Sequence, residues 1–344
     1  MRDNFPGSDY PLVSAVIPTC GRARLLMSAV RSALRQTWTN LEVIVIVDGP
    51  DRETEAALES VRDSRMRVII LPASCGGSEA RNAGVRAARG NWIAFLDDDD
   101  EWLPEKIERQ MHAAHAMPDW FPVVSCRLIA QSSSTSRVLP PRTYQPPQPI
   151  ADYLFCRKGL RDPGGVLQTS TLLAPRDLLL AVPFHSGLAL HQDWDWLIRV
   201  TSHTGVGVSM VRQPLAIWRV DEGRGSVGRD LSWKNSLAWI RSVRTLISPR
   251  AFAWFVAIQC AWRAQRSRAG LRARLLLLRA FLFEGRPELR SCFSFLVFAF
   301  VPKGIRQALR KDLRRNDGTP DGTPGLCLVI NRRRTLPVLR KSSF

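Results

Sequence analysis

Four short apolar runs rich in β-branched residues, at 13–17, 43–47, 68–71 and 92–96, alternate with helical patterns at 25–34, 53–61 and 78–88. Strands separated by helices in this way predict a parallel sheet with helices on both faces. Ligands of such sheets gather at the carboxyl ends of the strands. All four runs lead into polar groups there: Thr19, Asp48, the loop 75–78 and Asp97. The loop after the first run, PTCGR, lacks the glycine pattern that admits a dinucleotide pyrophosphate, and no phosphate-cradling G-x-x-x-x-G-K-[ST] occurs. A dehydrogenase and a P-loop nucleotidase are therefore disfavoured.

The fourth run, in WIAFLDDDDEWLP, passes directly into Asp97, Asp98, Asp99 and Asp100. Adjacent carboxylates at a strand end raise each other's cost of ionisation unless cations neutralise them. A hard divalent ion suits such a cluster: Mg²⁺ or Mn²⁺ takes oxygen ligands, often one or two protein carboxylates, with water and substrate phosphates completing the shell. The ligand spacing and glycine of a calcium-binding EF-hand are missing. His112 and His115, three apart on one helical pattern, have no third ligand and read as a helix face.

Several segments in series resemble the family 2 glycosyltransferases, which have the GT-A fold: SAVIPTCGR, ALRQTW, EVIVIVDGPDRET, GGSEARNAGVRAARGNWIAFLDDDDEW and HQDWDWLIR. The resemblance covers residues 12–230 and implies a mostly parallel α/β sheet flanked by helices, with a C-terminal helical extension. It implies that Thr19 and Asp48 contact the uracil and ribose of a nucleotide sugar, and that Arg81 lies against the base. Asp97 or Asp98 would bind the ribose, and Asp99 the metal that bridges the two phosphates. Where the family usually has two aspartates after its second strand, the first is Val47 here; Asp48 keeps the nucleotide-contacting position.

On the acceptor side, a helix at 104–117 and a strand at 123–130 precede a Ser-, Pro- and Gln-rich segment, 131–149, that reads as a loop. Asp193 and Asp195 follow near a helix start. An inverting sugar transfer needs a base for the acceptor hydroxyl, and a carboxylate ionised at neutral pH serves. The resemblance assigns that role to Asp193, preceded here by Gln192 where many members carry Glu. Asp195 reads as a helix N-terminal charge. Arg219 and Arg224 are candidates to reach the diphosphate, and Asp221 to add a metal contact.

The formal charge of +18 is unevenly distributed. Residues 231–344 hold 23 Lys and Arg against 5 Asp and Glu, whereas residues 1–230 hold 26 of each. Three regions follow: a nucleotide-sugar half (1–110), an acceptor half (111–230) and a basic helical tail (231–344). Two uncharged aromatic-rich stretches of the tail, 251–262 and 291–302, would each span on the order of 18 Å as helix, against about 30 Å for a bilayer core. Flanking arginines fit helices lying in an anionic membrane interface, and equally a helical core under a basic surface. Scattered cysteines without a C-x-x-C pair, and no apolar signal segment at the start, imply a reducing cytoplasmic setting, peripheral to the inner face of the cell membrane if the tail docks there.

The expected function is transfer of a sugar from a UDP-sugar or other nucleotide diphosphate sugar to a lipid-linked saccharide in surface polysaccharide assembly. The alternatives are a soluble or protein acceptor, or a non-catalytic nucleotide-sugar or nucleic-acid binding module. Nucleic acid is not an expected partner, because the charge is appended to a neutral catalytic body without a recognised module.

Overall fold

The computed structural model describes residues 10–158, 162–220 and 232–301. Nine strands form one sheet in the order β3-β2-β1-β4-β8-β6-β9-β5, with β7 beside β6. The first hundred residues supply β1 (Val13–Thr19), β2 (Leu41–Val47), β3 (Met66–Ile70) and β4 (Trp92–Phe95), all parallel. Helices α1 (Ala23–Leu34), α2 (Arg52–Glu59) and α3 (Gly77–Ala87) connect them. The chain winds outward from β1 through β2 to β3, then returns to place β4 on the other side of β1. The carboxyl ends of β1 and β4 thus flank the point where the winding reverses, where α/β sheets hold their ligands.

Both faces of β1, β2 and β4 are buried, while the edge strand β3 is partly exposed. Val16, Ile44, Ile46 and Phe95 enter one core cluster, while Ala15, Ile17, Val43, Val45 and Leu96 enter the other, following the two-residue period of a strand. Close approach of α3 to β1 requires a glycine: a Cβ on Gly84 would lie 2.3 Å from a methyl of Val16.

The remainder of the sheet is mixed. It comprises β5 (Asp100–Trp102), β6 (Phe121–Gln131), β7 (Ser136–Leu139), β8 (Leu173–Pro175) and β9 (Val206–Arg219). Helices α4 (Lys106–His115), α5 (Ile150–Phe155), α6 (Arg176–Ala181) and α7 (Gln192–Val200) belong to this part. The segment expected to be a loop over 131–149 contains β7, which returns along β6 as a hairpin. Its turn is closed by Ser132, whose backbone N–H donates to the Thr135 carbonyl at 2.8 Å. Strand β9 runs parallel to β6 and antiparallel to the three-residue β5, with Asp100 opposite Trp218. The aspartate run is thereby stitched to a strand from the far end of the acceptor half.

Five helices follow: α8 (Trp233–Ser242), α9 (Pro249–Phe255), α10 (Ala261–Arg266), α11 (Leu271–Arg279) and α12 (Leu289–Phe300). A π-helical turn, Val256–Cys260, joins α9 to α10. The first aromatic-rich stretch is core: Phe252, Trp254, Phe255 and Val256 are all but inaccessible and share a cluster with Val16 and Ile44 of the sheet. Full burial of each such side chain stabilises by roughly 1.5–3 kcal/mol, which holds these helices to the sheet. The second stretch is different. On α12, Leu289, Phe293, Leu296 and Phe300 form an exposed stripe, and Leu289 is 91% accessible. No helix of the described residues is long and apolar enough to cross a membrane.

Candidate active site

The first group of candidate residues is built on the winding reversal. Thr19, the last residue of β1, donates its hydroxyl to Asp98 Oδ2 at 2.8 Å. Arg22 donates to Asp98 Oδ1 at 3.1 Å and to Asp99 Oδ2 at 3.3 Å. Burial pushes the Asp98 carboxyl up to about 6, against the pull of Arg22 and the Thr19 hydroxyl. Burial, with the Asp97 charge beside it, also raises Asp100, whose Oδ2 accepts from the Ser170 hydroxyl at 2.6 Å. Asp48 binds a loop. Its carboxylate accepts from the backbone N–H groups of Cys75 at 2.6 Å and Gly76 at 2.9 Å and from the Ser74 hydroxyl at 3.0 Å. These bonds fix the entrance to α3, where Gly76 takes φ +86°, a conformation that favours glycine.

Arg81 connects the aspartate run to the start of α7. Its Nη2 donates to Asp97 Oδ1 at 2.5 Å, and its Nη1 donates to Gln192 Oε1 at 2.7 Å. The guanidinium lies over the ring of Phe184, 5.8 Å from the centroid. Asn82 holds that ring's backbone reciprocally, donating to the Phe184 carbonyl at 2.8 Å and accepting from its N–H at 2.9 Å. One helical turn of α3 therefore sets the end of β4 against the start of α7.

Asp193, next to Gln192, lines a cavity of about 230 Å³ with Trp194, Trp218, Trp254, Phe255 and Gln259. The π turn, from which Gln259 reaches the cavity, sits in its wall; such turns recur at functional sites. The Asp193 carboxylate accepts from the Trp194 N–H at 2.9 Å. Burial raises it to about 6, while that N–H and the Arg81 charge pull it down. A carboxylate tuned there is mostly ionised at neutral pH and more basic than an ordinary one, which suits it to take a proton.

Asp195 contrasts with it. It is buried, accepts from Trp239 Nε1 at 3.0 Å and from Arg199 Nε at 2.8 Å, and so serves packing as well as the helix start. His191 precedes α7 with φ 65° and stacks on Trp194 and Trp239, with ring centroids 5.0 and 4.6 Å away. Its Nε2 lies 3.0 Å from the Ser236 hydroxyl on α8. Burial holds its pKa well below the usual histidine value, so the ring is a neutral clamp on the turn that presents Asp193.

Hydrogen bonds thus link Thr19 to Asp98, Arg22 to Asp98 and Asp99, and Arg81 to Asp97 and to Gln192 beside Asp193. Arg219 donates to Glu101 at 3.0 Å beside the β5–β9 pairing. Asp221 and Arg224 lie outside the described residues. Arg22, Ser170, His191 and the tryptophans of the cavity beside Asp193 were not singled out from sequence; Arg22, His191 and Trp194 had a signal, their place in the matching segments. Among the described residues no group of three or more His, Cys, Asp or Glu side chains forms a ready-made metal site. Asp99, about a third accessible, offers carboxylate oxygen of the kind Mg²⁺ or Mn²⁺ accepts when phosphates and water supply the rest.

Residues 14–155 match the family model described as glycosyl transferase family 2. The amylovoran biosynthesis glycosyltransferase AmsB of Erwinia amylovora is 27% identical over 283 residues, covering 79% of this chain and 91% of that protein. The UDP-Glc:alpha-D-GlcNAc-diphosphoundecaprenol beta-1,3-glucosyltransferase WfaP of Escherichia coli is 37% identical over 101 residues, 29% of this chain and 40% of that protein. Among solved structures, S. aureus TarS 1-349 in complex with UDP-GlcNAc has a similar fold, with a TM-score of 0.57 at 15% identity, covering 88% of this chain and 92% of that one. The chain is a glycosyltransferase of GT-A fold, and its residues 14–155 match the model of glycosyl transferase family 2.

Proposed function

We propose that this enzyme transfers a hexosyl group from a UDP-sugar, or another nucleotide diphosphate sugar, to a hydroxyl of a lipid-linked saccharide during surface polysaccharide assembly. The observation that carries this reading is the Arg81 bridge, which ties Asp97 on the donor side to Gln192 beside Asp193. The names of AmsB and WfaP support the polysaccharide and lipid-linked parts.

Thr19, Asp48, Arg81, Asp97 and Asp98 would form the nucleotide-sugar pocket, with Arg219 at its edge. Asp193 takes the proton of the acceptor hydroxyl as that oxygen bonds to the anomeric carbon. The bond from this carbon to the diphosphate breaks on the opposite face, and its electron pair leaves with the nucleotide diphosphate. Inversion follows from that single displacement. Asp99 would hold Mg²⁺ or Mn²⁺, which would supply positive charge to the leaving diphosphate. The aromatic walls of the acceptor cavity hold the saccharide and exclude water, which protects the donor from hydrolysis. The exposed apolar stripe of α12 supports a peripheral position at the cytoplasmic membrane face.

The test is a matrix of nucleotide sugars against polyprenyl-diphosphate-linked monosaccharides in vesicles, with and without Mn²⁺, read as nucleotide diphosphate released. One pair should give metal-stimulated release that depends on the acceptor. Release from no donor in response to any such acceptor would overturn the reading.

A further inference from the structure

A second cavity, of about 630 Å³, carries six arginines and one lysine in its wall, with no carboxylate among the lining residues. It is assembled from distant parts of residues 111–230 together with two of the C-terminal helices. Between Cys126 and Arg127 the register of β6 against β9 shifts, so Cys126 faces Val211 while Arg127 faces Pro214. Arg212 falls in the interval left by that shift, and Arg127 and Arg212 both line the cavity. Such irregularities re-aim side chains out of the regular ladder. Arg142, Arg157 and Lys158 come from the segments flanking α5, Arg250 from the first turn of α9 and Arg290 from the first turn of α12.

Neighbouring carboxylates offset part of this charge. Asp162 lies 3.7 Å from Arg142, and Glu288 pairs with Arg250. Arg290 Nη1 instead donates to the Lys158 carbonyl at 2.9 Å, and Arg127 Nε to the Pro140 carbonyl at 2.9 Å, bonds that orient guanidinium groups without neutralising them. Convergent guanidinium groups repel one another until an anion enters, and their planar forks match phosphate oxygens.

The cavity adjoins the site of transfer, because Arg157 lines both it and the cavity that contains Asp193. A sugar seated on the tryptophans with one hydroxyl at Asp193 therefore presents an anionic reducing-end substituent to the arginines. Arg290, also in the wall, opens α12, which carries the exposed apolar stripe of Leu289, Phe293, Leu296 and Phe300. The cationic cavity thus shares residues with both the aromatic cavity and the helix that bears the apolar stripe, the three surfaces that the sugar, diphosphate and lipid of an amphiphilic glycosyl diphosphate require.

We propose that the basic cavity binds the diphosphate of the acceptor, with the acceptor's lipid chain leaving along α12. This rests on the assignment of Asp193 to the acceptor side. The donor's diphosphate is served elsewhere, at the aspartate run.

The test uses Arg212→Gln/Arg290→Gln in the full-length chain, since both side chains lie at the surface. With the donor site saturated by UDP, inorganic pyrophosphate titrated at low salt should bind wild type and bind the double variant about 10–100-fold more weakly, the range expected for lost charge-assisted hydrogen bonds. Equal binding to both proteins, or none to wild type, would overturn the proposal. In turnover, KM should rise for a diphosphate-linked acceptor and stay unchanged for the same sugar on an uncharged alkyl aglycone. A matched rise for both acceptors would contradict the assignment of the cavity to the acceptor. Removing the lipid from the diphosphate acceptor should raise KM in wild type but not in Leu289→Ser/Phe293→Ser; a chain effect that survives in that variant would remove α12 from the proposal. Should wild type transfer to no saccharide at all, the proposed function fails, while the pyrophosphate titration still judges the cavity.

Discussion

The aspartate run and the Asp193 site, proposed as the donor and acceptor sides, hold their carboxylates in different ways. On the donor side Asp97, Asp98 and Asp99 are each matched by an arginine, through Arg81 and Arg22. On the acceptor side Asp193 makes one backbone hydrogen bond and sits among aromatic rings, and burial lifts its pKa to about 6. Paired carboxylates suit binding, since they exchange partners when a polyanion or a cation arrives; burial lifts Asp98 to about 6 as well, but Arg22 and the Thr19 hydroxyl occupy its oxygens. A carboxylate held by burial and one backbone hydrogen bond suits proton transfer. Two residues on, Asp195 shows the same helix serving structure: with Arg199 and Trp239 as partners, it is as saturated as the donor-side groups.

The contrast is broken most severely at Asp193. Asp193→Asn keeps the shape but cannot accept a proton, so kcat should fall by about 10²–10⁴ while donor affinity, measured by calorimetry, stays within a factor of about two. Parallel loss of donor affinity would place Asp193 in the nucleotide pocket. Next in size is Asp99→Ala, expected to weaken donor binding about 10–100-fold when Mn²⁺ is present and hardly at all when it is absent. An equal loss under both conditions would make Asp99 a direct sugar or phosphate contact rather than a metal ligand. The smallest effect on catalysis belongs to Asp195→Asn. It retains an acceptor for Trp239 but leaves Arg199 without its charge partner, so unfolding free energy should drop by roughly 1–3 kcal/mol with kcat nearly intact. A kcat loss as large as that of Asp193→Asn would move the base to Asp195.

Legibility in the sequence followed the same division. The strands and helices of the nucleotide half lie within a few residues of their expected bounds, because each strand is a continuous apolar run and each helix carries its own buried face. Thr19 and the aspartate run could be found because they end those runs. The acceptor side depends on contacts that no local pattern carries. Arg81 and Gln192 are 111 residues apart. Strand β5 has three residues, two of them acidic, and exists because β9 pairs with it. The loop reading of 131–149 missed β7, whose four residues gain strand geometry from the edge of β6. The stretch 251–262 was open between membrane interface and core because both demand apolar, aromatic residues; packing against Phe155 and Trp194 decided for core.

The central claim, that burial tunes Asp193 as the base, is tested most directly by the pH dependence of kcat with saturating donor and acceptor. For a base that must be ionised, kcat should be level above about pH 7 and fall tenfold per unit below about pH 6. The same shift sets the sign for stability. A carboxyl raised from near 4 to about 6 binds its proton more readily in the folded state, so it penalises folding as pH rises through that window. Asp193→Asn should therefore melt at the same temperature as wild type near pH 4 and higher than wild type above pH 6. A kcat break near 6 in wild type, retained in Asp195→Asn, is the predicted result; a level profile from pH 5 to 8 in wild type would contradict the account.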